Sequence, residues 1–280
     1  MTIGYLLLPV AFLLLFCLEH VRPLRKAKSP LRSRLAVNAV VSAIAIGIAL
    51  LLVRPLALEV LQWTSDHNIG LTNLIALPAA IEAVLCFLLL DLSFYYWHRV
   101  NHSWPWLWRF HNAHHIDPDL DVSTSMRFHG VEIVYSSAFR ALQVLVIGGP
   151  VEVLIAYEIC FQLSTFAQHS NVRIPIRVER LLNLLFVTPR MHGIHHSKRF
   201  QETNSNWSTV LSVWDRLHGT ANLDAPQARI EIGIAGYAGP RDNTIAAVLM
   251  VPFRKQRDYW LSGDRPSLRH DMTAKSRLAE

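Results

Sequence analysis

The stretch HRVNHSWPWLWRFHNAHH, from His98 to His115, places five histidines within eighteen residues. It follows an apolar run from Leu71 to about Tyr96 that is long enough to cross a membrane. A second cluster, HGIHH, repeats the HxxHH spacing about eighty positions later. We therefore expect the rest of the chain to hold these two clusters together at a membrane surface.

The spacing within the clusters predicts that their imidazole rings converge. On a helix, residues three and four apart share one face, and imidazole nitrogen is a common ligand of first-row transition metals. Eight histidines exceed the ligand set of one tetrahedral ion, so the pattern predicts two metal ions in a shared cavity. The predicted ligands are His98, His102, His111, His114, His115, His192, His195 and His196.

Other residues are predicted to complete or support this site. His169, in the motif QHSN, is a ninth ligand candidate, whereas His129, in RFHGVE, fits a structural role equally well. Ligating histidines usually donate their second N–H to a carboxylate or carbonyl. Candidate acceptors are Asp91, which lies on the helix face of His98, together with Asp117, Glu132, Glu202 and Asp215. The histidines without a partner at ligand spacing are His20, His67, His218 and His270.

The composition indicates a membrane protein. The chain has 280 residues, of which 51% are hydrophobic and 17% charged, whereas a soluble domain typically carries about 25% charged residues. The net charge is +6, with the basic residues in loops, which favours contact with anionic lipid headgroups over nucleic acid. The three cysteines all lie in apolar runs without a CxxC spacing, which argues against disulfides, a zinc ribbon or an iron–sulfur cluster.

The apolar and basic segments predict a topology. Ile3 to Leu18 has no cleavage site after it and is predicted to be an uncleaved membrane anchor. The basic loop from Glu19 to Arg34 marks the cytoplasmic side. Leu35 to Val53 is a second predicted span, Arg54 to Gly70 a loop on the outer side, and Leu71 to Tyr96 a third span that Pro78 can kink.

A second pair of apolar helices is predicted further along the chain. Val131 to Ile147 and Val151 to Gln168 are joined at Gly148-Gly149-Pro150, a turn signal, and are expected to form a transmembrane or partly re-entrant hairpin. The polar segment from Ile116 to Phe128 before them is predicted to be a loop. Two short apolar segments, Leu181 to Val187 and Ile245 to Phe253, are too short to span a membrane, and the polar tail from Ser262 is predicted to be loosely ordered.

These segments together predict an all-α, multi-pass integral membrane protein. It has about four transmembrane helices, the last two a hairpin, and a cytosolic, helical, histidine-rich cap. The predicted regions are anchor helices over 1–90, a catalytic region over 91–220 that includes the hairpin 131–168, and a cytosolic tail over 221–280. Counting crossings from the basic loop places both histidine clusters on the cytoplasmic face, in a bacterial inner membrane or the endoplasmic reticulum.

Six motifs between Asp91 and Thr220, nearly half of the chain, resemble a known family. In order they are DLSFYYWHRVNH, HNAHH, RFHGVE, QHSN, HGIHH and NWSTVLSVWDRLHGT. They are similar to the motifs of the membrane-bound fatty acid hydroxylase / sterol desaturase superfamily. The resemblance implies a four-helix membrane bundle under a cytosolic cap. It also implies a di-iron centre that activates O₂ to hydroxylate or desaturate a lipid C–H bond.

The family's metal ligands carry over onto the eight clustered histidines and onto His169, with no catalytic residue beyond them. Asn206, Trp207, Trp214 and Asp215 match its C-terminal motif and are implied to support the site. Two departures bear on coordination and substrate: Thr165 stands where some members have a histidine, and Gly130 replaces a proline.

The resemblance also bears on partners and on alternative functions. No fused cytochrome b5 signature is present, so the implied electron donor is a separate ferredoxin or cytochrome b5. The same fold is consistent with oxygenation of an ether lipid or a carotenoid. A metal transporter is a remote alternative, because its ligands would line a membrane pathway rather than flank the membrane.

Overall fold

The protein is described by a computed structural model that covers residues 2–260 and residue 264. Within these residues the secondary structure is helical, with three isolated β-bridges and no β-strand. The helices, numbered in chain order, are α1 Thr2–Val21, α2 Leu31–Ile48, α3 Arg54–Asp66, α4 Ala79–Ser103, α5 Pro105–His115, α6 Gly130–Ile147, α7 Val151–His169, α8 Ile176–Leu182, α9 Pro189–His195, α10 Phe200–Thr203, α11 Val213–Leu217 and α12 Ile245–Met250.

Three helical stretches of the described residues are long and apolar enough to cross a membrane. They are Leu31–Asp66, Ala79–Ser103 and Gly130–Ile147, and Leu6–Val21 is a shorter apolar helix. The all-helical membrane class is therefore supported, while the count of four spans and the cytosolic orientation of the cap stay predictions.

The predicted outer loop over residues 54–70 is wrong for most of its length, because α3 occupies Arg54–Asp66. A π-helical turn, Ala49–Val53, joins α2 to α3 and makes one continuous helical stretch of 36 residues. Pro55 has no N–H to donate to a carbonyl one turn back, and the wider turn before it accommodates this loss. The chain turns only at Asn68 and Gly70, both of which have positive φ angles.

The third apolar helix also differs from its predicted bounds. Pro78 precedes the first residue of α4 and does not kink it, because the fixed φ angle of proline suits a helix start. The residues before it pack elsewhere: the backbone N–H of Leu71 donates to the carbonyl of Val146 at 2.8 Å, at the far end of α6. At its other end α4 continues to Ser103, and this extension places His98 and His102 on the same membrane-length helix.

The predicted helical pair is present as α6 and α7, with the turn at Gly148-Gly149-Pro150. Gly148 and Gly149 both have positive φ angles, and a Cβ atom on Gly149 would lie 2.7 Å from the Sγ atom of Cys86. The hairpin thus packs tightly against α4. The buried core between them contains Cys86, Leu90, Val144, Ile147, Leu154 and Tyr157.

The polar segment predicted as a loop before α6 is instead buried. It includes a short 3₁₀ helix, Val122–Met126, that Asp121 caps. Arg34, the last residue of the basic loop, lies beneath it and forms ion pairs with Asp117 at 3.3 Å and with Asp121. Because these charges satisfy one another inside the protein, Arg34 is not available to lipid headgroups.

The segment predicted as a tail from residue 221 packs over the histidine helices as far as Trp260. Ile234, Tyr237 and Val251 contact Trp108 of α5 in one buried cluster, and Val248 of α12 packs between α2 and α5 in another. This segment therefore forms part of the cap. The loosely ordered tail predicted from Ser262 lies outside the described residues, except for Asp264.

Candidate metal centre

All nine predicted ligand histidines are buried and lie where four helices meet. His98 and His102 occupy the last turns of α4, and three more lie on α5. His169 ends α7, and the HGIHH motif forms α9 and the residue after it. The described residues form two groups of imidazole nitrogens that can each hold a metal ion. Group one contains His98, His102, His115 and His195; group two contains His114, His169, His192 and His196.

In each pair of adjacent histidines, one residue belongs to group one and the other to group two. His114 belongs to group two and His115 to group one, and the pair His195-His196 is divided in the same way. The side chains of consecutive helical residues point about 100° apart. Two adjacent histidines can therefore direct their rings to two neighbouring metal positions. The repeated HxxHH motif is thus suited to a two-ion centre.

In group one, backbone carbonyls fix the imidazole rings. The Nδ1 atom of His98 lies 2.9 Å from the carbonyl oxygen of Trp207, and that of His195 lies 2.8 Å from the carbonyl oxygen of Ser205. Each Nδ1–H therefore donates outward, and each Nε2 atom keeps its lone pair for the centre of the group. The buried Nε2 atoms of His102, His115 and His195 have no hydrogen-bond partner among the described residues.

In group two, the Nε2 atoms approach one another too closely for neutral rings with free lone pairs. The distance is 3.0 Å from His169 to His114 and also 3.0 Å from His169 to His192. The Nδ1 atoms of His169 and His114 face the carbonyl oxygens of Thr165 and Arg127 and must carry the protons. Two Nε2 lone pairs therefore face each other at 3.0 Å, an arrangement that a bound cation stabilises. Tetrahedral ligands with 2.0–2.1 Å bonds lie about 3.4 Å apart, so the donor set fits a metal ion.

His111 lies between the two groups and belongs to neither. Its ring centroid is 4.9 Å from that of His102 and 5.5 Å from that of His114. Its Nδ1–H donates to Glu132 at 2.7 Å, and its buried Nε2 atom makes no hydrogen bond within the part of the chain that the structure describes. The two groups thus contain eight histidines, seven from the clustered motifs and His169. His111 lies between the two groups.

Burial keeps these imidazoles neutral, which is the form that binds metal. Loss of solvent lowers the pKa of His115, His192 and His196 well below its usual range, and neighbouring histidines lower it further. The pKa of His195 falls to about 3, again mainly through burial. A metal ion therefore does not have to displace a proton from these rings at neutral pH.

Two of the predicted supporting carboxylates, Asp91 and Asp215, bind backbone N–H groups of the segment after α10 and not the histidines. Asp91 accepts hydrogen bonds from the N–H of Leu211 at 3.0 Å and from the indole of Trp214 at 2.7 Å, and not from a histidine. Asp215 accepts from the N–H groups of Trp207 and Ser208 at 2.8 and 2.9 Å. Both carboxylates hold the segment that presents the carbonyl of Trp207 to His98.

The remaining candidates occupy distinct positions. The side chain of Asn206, at a φ angle of 57°, donates to the carbonyl of Met191 on α9. His129 accepts from the N–H of Val131 and donates to the carbonyl of Leu249, so both of its ring nitrogens are engaged at the start of α6. Asp117 pairs with buried arginines, and the buried Oε2 atom of Glu202 makes no hydrogen bond to a described residue.

Arg25 is a neighbour of the site that the sequence interpretation missed. Its Nη2 atom donates to the carbonyl of Pro189 at 2.8 Å and to the side chain of Gln227 at 2.7 Å. A Cβ atom on Gly193 would lie 1.7 Å from this Nη2 atom. The glycine inside HGIHH was the available signal, because it allows the guanidinium to lie against α9 between His192 and His195.

A mainly apolar cavity of about 240 Å³ opens beside the histidines. Its lining includes the rings of Phe94, Phe139 and Phe161 together with His98, His111 and His169. Such a cavity can hold an alkyl chain with one of its carbons next to both groups.

Comparison of the sequence with known proteins identifies similar lipid-modifying enzymes. Residues 83–220 match the family model described as Fatty acid hydroxylase. The chain is 30% identical over 205 residues to an ornithine lipid hydroxylase of Rhizobium tropici, covering 72% of this chain and 60% of that protein. It is 28% identical over 149 residues to human alkylglycerol monooxygenase, covering 53% and 32%, and 28% identical over 149 residues to human cholesterol 25-hydroxylase, covering 52% and 53%.

The chain thus spans less than two thirds of the length of each of these relatives. No solved structure shows significant similarity to it. The family match and the similarity to these relatives lead to one assignment: residues 83–220 carry a fatty acid hydroxylase domain.

Proposed function

We propose that this protein is an O₂-dependent lipid hydroxylase with two iron ions at its histidine centre. The observation that carries the proposal is the pair of buried four-histidine groups beside an apolar cavity. All-imidazole ligation suits iron in a redox role, and the cavity suits a substrate with a long apolar part.

Under this proposal, each histidine group holds one ion, and His111 faces the space between them. The iron pair, when bound, supplies the chemistry that reduces O₂ and cleaves an unactivated C–H bond. The carbonyls of Trp207, Ser205 and Thr165 fix the ligand rings in the tautomer that leaves Nε2 free.

The remaining task of the protein is to position the substrate and exclude water. The aromatic wall of the cavity constrains an alkyl chain, and this restriction lowers the entropic barrier to reaction at one carbon. Burial of the histidines limits the access of solvent to the reacting carbon.

The names of the relatives favour hydroxylation over desaturation, because all three are hydroxylases or monooxygenases. They act on different lipids, so the fold alone does not select a substrate. An ether lipid is a second candidate, supported by the alkylglycerol monooxygenases among the relatives.

We also propose a multi-pass topology with the histidine centre facing the cytoplasm, where a separate ferredoxin or cytochrome b5 delivers electrons. The loop between α1 and α2, at the histidine end of the helices, supports this orientation. Although Arg34 of α2 is buried, exposed basic side chains lie in this loop at Arg22, Lys26 and Lys28 and in the first turn of α2 at Arg32.

The proposal is tested with the purified full-length chain in lipid nanodiscs. Iron content is measured first, and the loaded protein is then incubated with an electron donor and a lipid extract under isotopically labelled O₂. We expect an iron-dependent lipid product that carries one labelled oxygen atom. Turnover that needs neither iron nor O₂, or product oxygen that comes from water, contradicts the proposal.

A further inference from the structure

Arg140 is a buried cation in the middle of α6, and it lies in the wall of the same cavity as the histidines. Its residue exposure is 8%. Its one hydrogen bond to a described residue is the contact with the side chain of Gln143, and its guanidinium carbon lies 5.6 Å from the ring centroid of Tyr157. No carboxylate of the described residues lies within 4 Å of it to form an ion pair.

This charge is unusual for its position. Arginine keeps its proton at all physiological pH values, and an uncompensated charge within a membrane-length helix is costly and typically marks a functional site. Glu158 on α7 interacts with Arg140 electrostatically but remains outside ion-pair distance. The guanidinium therefore has hydrogen-bonding capacity and charge that the described protein groups do not satisfy.

Two other polar groups in the cavity wall are also without partners. The Nε2 atom of Gln162 and the Oε1 atom of Gln168 are both buried and make no hydrogen bond within the described structure. Buried polar groups in proteins almost always have a partner. Unsatisfied groups that share one cavity with an unpaired cation indicate a ligand with polar atoms of its own.

The cavity therefore has a histidine end and a cationic end. Glu132, Ser136 and Arg140 follow one another at intervals of four along α6 and all line the cavity. Glu132 contacts His111 at the metal centre. Arg140 lies eight residues further on, which is about 12 Å along the helix axis.

We propose that the substrate is an acidic lipid whose oxyanion, a carboxylate or a phosphate, pairs with Arg140 and accepts a hydrogen bond from Gln162. The carbon to be oxidised then lies at the histidine end, about two helical turns away. This assignment rests on the proposed hydroxylase function and names the substrate class for that site. A neutral lipid with only a hydroxyl group would leave the Arg140 charge uncompensated.

The test compares four probes with the same alkyl chain: palmitate, methyl palmitate, hexadecyl phosphate and hexadecanol. Binding to the iron-loaded protein, in nanodiscs of neutral lipid and without a reductant, is followed by tryptophan fluorescence, since Trp97 lines the cavity. We expect at least one acidic probe to bind about tenfold or more tightly than its neutral counterpart. Palmitate and hexadecyl phosphate distinguish a fatty acid from a phosphate ester as the source of the oxyanion.

Substitutions connect this preference to Arg140. R140Q should abolish the preference for the acidic probe, and R140K should retain part of it, because an ammonium keeps the charge but not the planar donor geometry. R257Q, at an exposed arginine that does not line the cavity, is the matched control and should leave the preference unchanged. E158Q should strengthen the preference, because it removes a competing negative charge.

Equal binding of acidic and neutral probes by the unmodified protein overturns the inference, and so does an undiminished preference in R140Q. The comparison in the unmodified protein stands even if R140Q fails to fold. Because binding is measured without turnover, a lack of O₂-dependent oxidation would contradict the proposed function while the charge preference remains a separate result.

Discussion

The carboxylate of Glu132 accepts a hydrogen bond of 2.7 Å from Nδ1 of His111, and both side chains are buried. This contact joins the start of α6 to the middle of α5 and fixes the ring that faces the space between the two histidine groups. It also fixes the proton on Nδ1, so that the Nε2 lone pair of His111 points toward the centre.

We expect Glu132→Ala to lower turnover or iron affinity by about 10- to 100-fold, the usual cost of losing such a partner. Glu132→Gln should be milder, because its amide oxygen still accepts from Nδ1–H. Iron content and turnover are measured for both variants, with Glu231→Gln, at an exposed carboxylate, as the control. Equal losses in the alanine and glutamine variants would show that the hydrogen bond from His111 does not determine iron content or turnover.

Substitution of single histidines should separate the two groups from the structural histidines. His195→Ala should lower iron bound at group one, and His169→Ala should lower iron bound at group two, each with loss of turnover. His129→Ala should leave the iron content unchanged and cost about 1 kcal/mol or more of stability, because it removes the cap of α6 and the hydrogen bond to the carbonyl of Leu249.

Metal analysis and thermal melts of the three variants check these outcomes, with His67→Ala at an exposed position as a control. If His129→Ala lost as much iron as His195→Ala, the assignment of the ligands to two groups would be wrong.

The histidine faces could be predicted because helical periodicity is a local property: spacings of three and four determine which rings lie together on one helix. How these rings are divided between the two histidine groups depends on where α4, α5, α7 and α9 meet, and the sequence does not encode this locally. His111 illustrates the difference, since its spacing matches that of His192 while its ring lies between the groups.

Charge patterns were less informative about the cap. The basic loop and the run of aspartates before α6 were interpreted separately, as a topological signal and as a polar loop. In the structure Arg34 and Asp117 neutralise each other in the interior. A hydropathy pattern predicts that both side chains are exposed, because it contains no information on ion pairs between segments that are distant in the sequence.

The approach of Arg25 to Gly193 makes a substitution in the HGIHH motif informative. Gly193→Ala would place a methyl group 1.7 Å from the guanidinium Nη2 atom, so either Arg25 or α9 must move. We expect a loss of about 1–3 kcal/mol in stability, as for other overpacked sites, together with reduced iron content.

The double variant Gly193→Ala/Arg25→Ala should recover part of the iron content, since it removes the clash. Thermal denaturation and metal analysis of both variants test this. A double variant that is no better than the single one would mean that the contact does not limit the position of α9.

The last prediction concerns the buried ion pairs beneath the cap. Arg34→Ala would leave Asp121 with an uncompensated charge in the interior and Asp117 with Arg127 alone, and such losses typically cost about 3–5 kcal/mol. Arg34→Ala/Asp121→Asn should be less destabilising than the single variant, because it removes a carboxylate that lost its partner. Denaturant or thermal unfolding in detergent measures both, and Arg32→Ala, two residues earlier and exposed, provides the matched control. An Arg34→Ala protein as stable as the control would mean that the cap does not depend on this pairing, and that the apolar contacts of Val37 and Val41 and the hydrogen bonds of Asn38 suffice to hold α2.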